Sequence, residues 1–482
     1  MKKINFNIKF NLKIGIFTTT SLFFLYLLYL SIPSLHDSGR VQKELHNKLI
    51  EEFGLNISLS SDIAYRILPQ PHFHVKDSKI FLNKDKATNE IGEIKDIRIF
   101  INQRNLFKSE NIEIKQIVLS KGNFFFNRQN LNFISKLFKN EFSKRKVYIK
   151  KSKLFFNDKN KSIIFIYTIE NLNFFKNEKN NNQQFKTKGN IFNIPIKFSW
   201  EKNLNNKNII SNFKADKVDI EFINKSILLN GNYKYENILN ILSNSFKTNY
   251  NISKNQIKLK SEKSLIINTP ISYFGNIELI PFSFKIFADA EEIDLEYIFK
   301  NLFFINEIVS SNILLNDNIN GLVKIKTSKL NKNRIFSVAD ININFEEGDL
   351  NFDNSYLENN KFAKITINNT KFESFEGSSN LTGEIKLNIF DHNQLYKLLP
   401  ISKKKRFKRK FDKINFYFTL NLNSSKYSID RINFLDNENQ IIQSKNVDDF
   451  VEDNYETRFT YTNSVLLKNF MKKVLNTYLD DG

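Results

Sequence analysis

Lys413 to Asn423 reads KINFYFTLNLN, and its apolar residues fall at every second position: Ile414, Phe416, Phe418, Leu420 and Leu422. Successive side chains of a β-strand point to opposite faces, so this run of period-two matches predicts a strand with one apolar and one polar face. The same texture continues outward. In LTGEIKLNIF, Leu381, Ile385, Leu387 and Ile389 lie on one side, and Gly383 keeps the phase. Ile341, Ile343 and Phe345 alternate with Asp340, Asn342, Asn344 and Glu346; Glu347-Gly348 then reads as a turn, after which Leu350 and Phe352 continue. Upstream, Ile194, Ile196, Phe198 and Trp200 share a face, with Lys197 and Ser199 opposite. Strands are also predicted at 147–156, 162–175 and 191–200. Ile112 and Ile114 alternate with polar neighbours, as do Ile97, Ile99 and Ile101, although Phe100 breaks the latter pattern.

Helical spacing is scarcer. Val41, Leu45 and Leu49 fall at i, i+4 and i+8, and Phe53 extends the stripe to Gly54, which predicts a short amphipathic helix. Leu131, Ile134, Leu137, Phe138 and Phe142 have helical spacing, and further helices are predicted at Asn237–Phe246, Glu291–Ser310, Asn393–Leu399 and Ser464–Leu479. Asparagine-rich patches at 177–184, 203–208 and 357–361 read as solvated loops. No fixed-length repeat of the solenoid kind is present.

One further segment sets the compartment. Ile14 to Ile32 is an uncharged apolar run behind Lys2, Lys3, Lys9 and Lys13. As a helix it reaches about 28 Å, close to the roughly 30 Å hydrocarbon core of a bilayer. A cleaved signal peptide is the rival reading, but Pro33, Ser34, Leu35, His36 and Asp37 follow without an A-x-A-like site. The lysines before the run predict a cytoplasmic N-terminus and a chain lying across the membrane. The expected organisation is therefore a cytoplasmic segment 1–13, a spanning helix 14–32, a β region with an amphipathic helix 33–175, a middle β region with helices 176–310, a C-terminal β region 311–435, and a tail with a helix 436–482.

Composition narrows the partners. The chain has 482 residues, 41% hydrophobic and 14% aromatic, too apolar for a disordered chain. The net charge of +21 raises nucleic acid or anionic membranes as partners. However, the lysines are scattered, and the abundance of Phe, Asn, Lys and Ile also fits an AT-rich coding sequence; no nucleic-acid partner is expected. Without cysteine there is no disulfide and no thiolate chemistry. About twenty antiparallel strands of ordinary length would leave a long apolar face that few helices can cover. Closed sandwiches are one solution; an elongated, curved sheet with an apolar concave groove for acyl chains is the other.

Several passages resemble the AsmA-like family of membrane-anchored periplasmic proteins. A single N-terminal membrane helix is followed by RVQKELHNKLIEEFG, then by ISLSSDIAYRILPQPHFHVKDSKIFL with its ILPxPxF-like turn at Ile67–Phe73, then by EIKDIRIFIN and NIEIKQIVLSKGNFFF. SFKIFADAEEIDLEYIFK and LTGEIKLNIFDHNQLYKLLP, the latter followed by the 413–434 strands, are similar as well. The resemblance covers the two ends of the chain better than its middle. It implies a bacterial inner-membrane protein with a periplasmic β-groove, open along one side, that carries phospholipids between inner and outer membranes and supports outer-membrane biogenesis. The expected partners are phospholipids, the inner membrane, and outer-membrane or periplasmic assembly proteins. The expected lipid-contact residues are Ile194, Ile196, Phe198, Trp200, Ile341, Ile343, Phe345, Ile385, Leu387, Ile389, Ile414, Phe416, Phe418, Leu420 and Leu422. Ordinary core packing is the competing role for all of them, and a structural adaptor for outer-membrane protein assembly is the competing function.

Other candidates are weaker. Lys403, Lys404, Lys405, Arg406, Lys408, Arg409 and Lys410 form the densest charge and would meet anionic headgroups, unless they are a solvated loop. His72 and His74 share a strand face, but no cysteine or spaced acid completes a metal set, and no metal or cofactor is expected. The pairs Glu51-Glu52, Glu291-Glu292 and Glu346-Glu347 are sequence neighbours whose side chains diverge, so they make poor acid–base pairs. G-x-S-x-G, P-loop and H-E-x-x-H motifs are absent, and no enzymatic activity is expected.

Overall fold

The computed structural model describes residues 12–53, 56–59, 62–81, 90–104, 106–127, 138–157, 163–229, 232–242, 244–266, 269–294, 317, 319–330, 335–375, 378–406, 410–424, 426–442, 445–454, 459–460 and 464–480. The protein is mainly β, with 26 strands in one sheet among the described residues and one N-terminal apolar helix, and it divides into two compact units, 1–191 with 196–209 and 192–195 with 210–482.

In the first unit, α1 (Leu12–Ser31) leads through a short 3-10 turn, Ile32–Leu35, into α2 (Ser38–Phe53). Nine strands follow: β1 (Asn56–Ser58), β2 (Ile63–Arg66), β3 (His72–Phe81), β4 (Glu90–Ile101), β5 (Ile114–Asn127), β6 (Lys146–Asn157), β7 (Ile163–Asn177), β8 (Asn182–Ile191) and β9 (Ile194–Asn203). The stripe expected on α2 is its buried face, with Val41, Leu45 and Leu49 at 3%, 1% and 0% exposure. His46 Nδ1 contacts Ile57 O at 2.8 Å and Lys48 Nζ donates to Ile112 O at 2.6 Å, which fixes α2 on the sheet. Below it Val75, Ile97 and Leu119 pair across three strands and are all at most 1% exposed. Phe100, which breaks the alternation, turns to the other face and stacks on His72 at 5.0 Å.

The second unit begins around β10 (Ile209–Ala215). It continues through β11 (Ile220–Leu229), β12 (Asn232–Ile241), β13 (Asn244–Ile252), β14 (Gln256–Ser261), β15 (Ser264–Ile266), β16 (Thr269–Leu279), β17 (Phe282–Ala290), β18 (Asn320–Thr327) and β19 (Val338–Glu346). After these come β20 (Asp349–Asn351), β21 (Ser355–Asn359), β22 (Ala363–Phe375) and β23 (Ser378–Ile389). Then α3 (His392–Leu398), β24 (Lys413–Asn421), β25 (Lys426–Leu435), α4 (Lys445–Asp453), β26 (Phe459–Thr460) and α5 (Ser464–Asp480) complete the chain.

The expected antiparallel sheet needs one correction. β5 pairs parallel with β6, and β17 parallel with β18. Parallel neighbours require a crossover of a dozen residues or more. The two crossovers, 128–145 and 291–319, contain the segments expected to be helical at 131–142 and Glu291–Ser310. Most of both segments lies outside the described residues; Phe138 and Lys139 are helical.

A second correction concerns Asn237–Phe246, expected as a helix. It is the end of β12 and the start of β13, which pair from Tyr235↔Tyr250 to Ile241↔Asn244. Ile238, Leu239, Ile241 and Phe246 mimic helical spacing, but Asn237, Asn240 and Asn244 are poor helix formers. Leu242 adopts φ 47° at the turn. The asparagine patch 177–184 is only partly a loop. Asn182 and Gln183 belong to β8 and are 9% and 0% exposed.

Candidate functional site

In the second unit, register rather than sequence proximity builds the site. Starting from Ile271, pairing carries one row of side chains through Ala290, Thr327, Ala339, Leu357, Ile365, Leu387 and Ile414 to Phe434. Two residues further along the strands, Tyr273, Ala288, Ile325 and Ile341 form the next row, and Gly275, Ile286, Val323 and Ile343 the one after. All of these rows lie on one face, because cross-strand partners point the same way. The strands from β19 to β24 therefore bring Ile341, Ile343, Phe345, Ile385, Leu387, Ile389, Ile414, Phe416, Phe418 and Leu420 onto that single face, as alternation predicts.

Coverage along the face is uneven. At its Ile414–Phe434 end it is sealed by α3, α4 and α5, which contribute Leu395, Val447, Val474 and Tyr478 to one core. Ile389 and Ile414 belong to this core, and Leu387 and Phe416 pack against it. Tyr478 stacks on Phe434 at 4.1 Å and sits edge-on to Phe411 at 5.4 Å. A smaller cluster of Leu350, Phe372 and Leu422 gathers Ile343, Phe345 and Leu420 around it. Phe418 and Ile385 are half-buried, neither sealed nor free.

Toward β11 the covering ends. Leu239, Phe246, Leu259, Ile277, Phe284, Ile286 and Val323 are all half-buried, and Phe222 is 39% exposed. Among the described residues between Ile209 and Ala290, the only fully buried hydrophobic ones are Ala215, Val218, Ile271, Ala288 and Ala290. An ordinary core would bury this many large apolar side chains completely. The opposite face carries Glu221, Lys225, Glu236, Lys247, Lys258 and Lys260, interspersed with Ile223, Ile238, Phe274 and Phe287.

Two glycines flatten the apolar face. A Cβ at Gly321 would meet the Phe284 ring at 2.5 Å, and one at Gly383 would meet the Phe418 ring at 3.0 Å. Each ring thus lies down over a neighbouring strand instead of standing off the sheet. A polar band crosses the same face on β11–β16. Tyr250 donates to Asn224 Oδ1 at 2.5 Å, and the Thr248 and Tyr273 hydroxyls are 2.6 Å apart. Beside the band a shallow depression of about 410 Å³ opens over the stacked Tyr233, Tyr235 and Tyr250. The helix expected over 237–246 obscured these tyrosines as a set, although the alternation in NYKY carries two of them.

The β9 candidates behave differently. Ile194 and Ile196 are 8% and 7% exposed. Phe198 and Trp200 join an aromatic cluster in which Trp200 meets Phe138 at 4.9 Å and Phe142 at 5.7 Å. There the crossover 128–145 supplies protein atoms where an acyl chain was expected.

The basic run is a turn over 403–406, with Lys408 and Arg409 outside the described residues. Lys403, Lys404 and Lys410 are exposed. Lys405 pairs with Asp480 at 2.6 Å, and Arg406 donates to Ile401 O at 2.8 and 3.0 Å while lying over the Tyr396 ring. His72 Nδ1 contacts Gln70 O at 2.7 Å, and burial holds this imidazole below its ordinary pKa. His74 faces Asp96 at 2.9 Å. Among the described residues no cluster of three metal-ligating side chains occurs.

Outside the sheet, α1 is apolar on all sides and exposed, with Phe17, Leu22 and Leu25 at 60–74%. Gly15–Leu35 has a mean hydropathy of 1.6 and is long enough to cross a membrane. No family model matches the chain, and no curated protein matches it either.

Proposed function

We propose that the chain is an AsmA-like protein, anchored by α1 in the bacterial inner membrane with its bulk in the periplasm, and that its apolar face takes up phospholipid acyl chains for transport between inner and outer membranes in support of outer-membrane biogenesis. One observation carries this reading. The face in register across β11–β19, apolar apart from the band of Asn224, Thr248, Tyr250 and Tyr273, keeps its large side chains only half-buried, a costly arrangement in water at about 25 cal/mol per Å² of apolar surface. Acyl chains would remove that surface from water without requiring a directional partner. The proposed role is binding and conduction.

A photo-crosslinking residue at Phe284 or Phe418 in cells is expected to capture phospholipid. Capture of protein only would sink the lipid reading. A second reading, a non-enzymatic adaptor for outer-membrane protein assembly, draws support from the parts of the apolar face closed by protein: the α3–α5 core and the Trp200 cluster. Native mass spectrometry of the full chain released from detergent separates the two, since co-purifying phospholipid is expected only for the first.

A further inference from the structure

Among the described residues outside α1, the three most exposed large apolar side chains are Leu35 at 83%, Leu68 at 77% and Phe107 at 70%. All three lie at one end of the first unit. Leu68 is in the β2–β3 turn and Phe107 in the β4–β5 loop, and the two connections are tied by Ile101 N donating to Pro71 O at 3.1 Å. Leu35 ends the turn that leaves α1.

This end is docked against α1 itself. Gln103 receives the Tyr26 hydroxyl at 2.8 Å on its side chain and the Tyr29 hydroxyl at 3.0 Å on its backbone oxygen. Tyr65 donates to Leu30 O at 2.5 Å, and His36 Nε2 contacts Leu106 O at 3.0 Å. Tyr26 precedes the last residue of α1 by five positions, about 7.5 Å along the axis. Gln103, in the β4–β5 loop, therefore lies beside the last turn and a half of the helix. Within that loop Leu106 is fully buried and holds the backbone, while its neighbour Phe107 points outward, 5.6 Å from Tyr29. Exposed cations stand next to the apolar tips in the chain: Arg66 two residues before Leu68, Arg104 three before Phe107, and Lys108 directly after it.

From these contacts we infer that this end of the first unit is a membrane-inserted surface: Leu35, Leu68 and Phe107 enter the acyl boundary of the bilayer that α1 crosses, and Arg66, Arg104 and Lys108 meet its phosphates. The inference rests on α1 spanning a bilayer. Apolar tips beside tyrosines and flanked by cations suit the interfacial zone, where amphipathic surfaces bury about 5–10 Å into the headgroup–acyl boundary. The sheet would then stand on the membrane at a fixed depth, held by three side chains as well as by the helix.

Because the chain has no cysteine, single-cysteine variants of the full protein carry one label each. Leu68→Cys and Phe107→Cys, labelled with an environment-sensitive fluorophore, are reconstituted into phosphatidylcholine vesicles containing phosphatidylglycerol and nitroxide-bearing lipid. Leu28→Cys in α1 reports the anchor. Ile163→Cys, also an exposed apolar site at 55%, reports the opposite end of the strands, about 40 Å away at 3.3 Å per residue. The expected result is quenching at 28, 68 and 107 about twofold or more above that at 163, as shallow insertion requires. Quenching at 28 with 68 and 107 behaving like 163 would overturn the inserted surface and leave the anchor standing. Absence of quenching at 28 would overturn the anchor reading and the surface with it. Labels at 68 and 107 shielded from aqueous iodide yet unquenched by lipid would mark a protein partner and also overturn the proposal.

Discussion

Gly321 and Gly383 set the texture of the apolar face at the level of single residues. Each makes room for one phenylalanine ring, so replacing either with valine forces Phe284 or Phe418 out of its seat. Gly321→Val is expected to cost about 1–3 kcal/mol in denaturant unfolding, the usual range for overpacking. Two half-buried tyrosines give a pH signature. Burial pushes the hydroxyls of Tyr65 and Tyr427 up to about 12 from 10.0. A raised pKa means that the folded state favours the protonated form. The contribution is therefore complete below pH 10 and is lost as pH climbs from about 10 through about 12. Burial also raises Tyr167, Tyr250 and Tyr396; spectrophotometric titration should show a late-titrating set, from which Tyr65→Phe and Tyr427→Phe should each remove one. The turns were harder to read from residue types. Phe192, Leu242 and Lys263 take positive φ at turns where glycine is the usual signal. Asn193 and Asn354 do so as well, in keeping with the tolerance of asparagine for the left-handed region. With so few glycines, asparagine was the better turn marker, yet Asn182 shows that it also serves inside strands.

Helices and basic turn decide what is covered at the scale of elements. α5 places Tyr478 between Phe411 and Phe434 and lets its hydroxyl donate to Lys410 O at 3.0 Å. Tyr478→Ala should therefore destabilise by about 3–5 kcal/mol, as aromatic-to-alanine changes in cores do. Lys405 and Asp480 are 32% and 49% exposed, so Lys405→Ala should shift stability by less than about 1 kcal/mol. The same turn offers Lys403, Lys404 and Lys410 to solvent, and replacing them with serine should weaken binding to anionic vesicles by about 1 kcal/mol each. Unchanged vesicle binding would assign the run to a plain solvated loop. The amphipathic α2, α3 and α5 were legible because a continuous stripe of three or more apolar residues needs no partner to be recognised. The segment at Asn237 was not, because Ile238, Leu239 and Ile241 satisfy both periods over so short a stretch and only pairing with β11 and β13 chooses between them.

For the whole molecule, the proposed lipid path is tested where the face is half-exposed. Leu259→Asp with Ile277→Asp, both half-buried and outside the packed clusters, should leave the sheet folded by circular dichroism and reduce co-purified phospholipid several-fold, since an acidic side chain on an acyl-lined face carries its desolvation cost into every bound lipid. Lipid retained at the level of the unsubstituted protein would speak against the path. Replacing residues 1–35 with a cleaved signal peptide should leave a chain that still binds lipid in vitro and fails in the cell. Normal function of that freed chain would reduce α1 to an export signal.

The row from Ile414 to Leu422 follows from the amino-acid sequence alone, because side-chain direction in a strand is local, alternating with every residue whatever the neighbours are. The same holds for α1, whose apolar length is a property of its own residues. Which of these side chains would be sealed was not local. Ile414 is fully buried because Phe434 pairs beside it and α4 and α5 pack above it, while Phe416 and Phe418 on the same strand are only half-buried. Only tertiary structure sets α3, α4 and α5 over part of one apolar face while Leu239, Phe246, Leu259, Ile277, Phe284 and Ile286 on it stay half-buried, because that coverage depends on contacts between residues far apart in the chain.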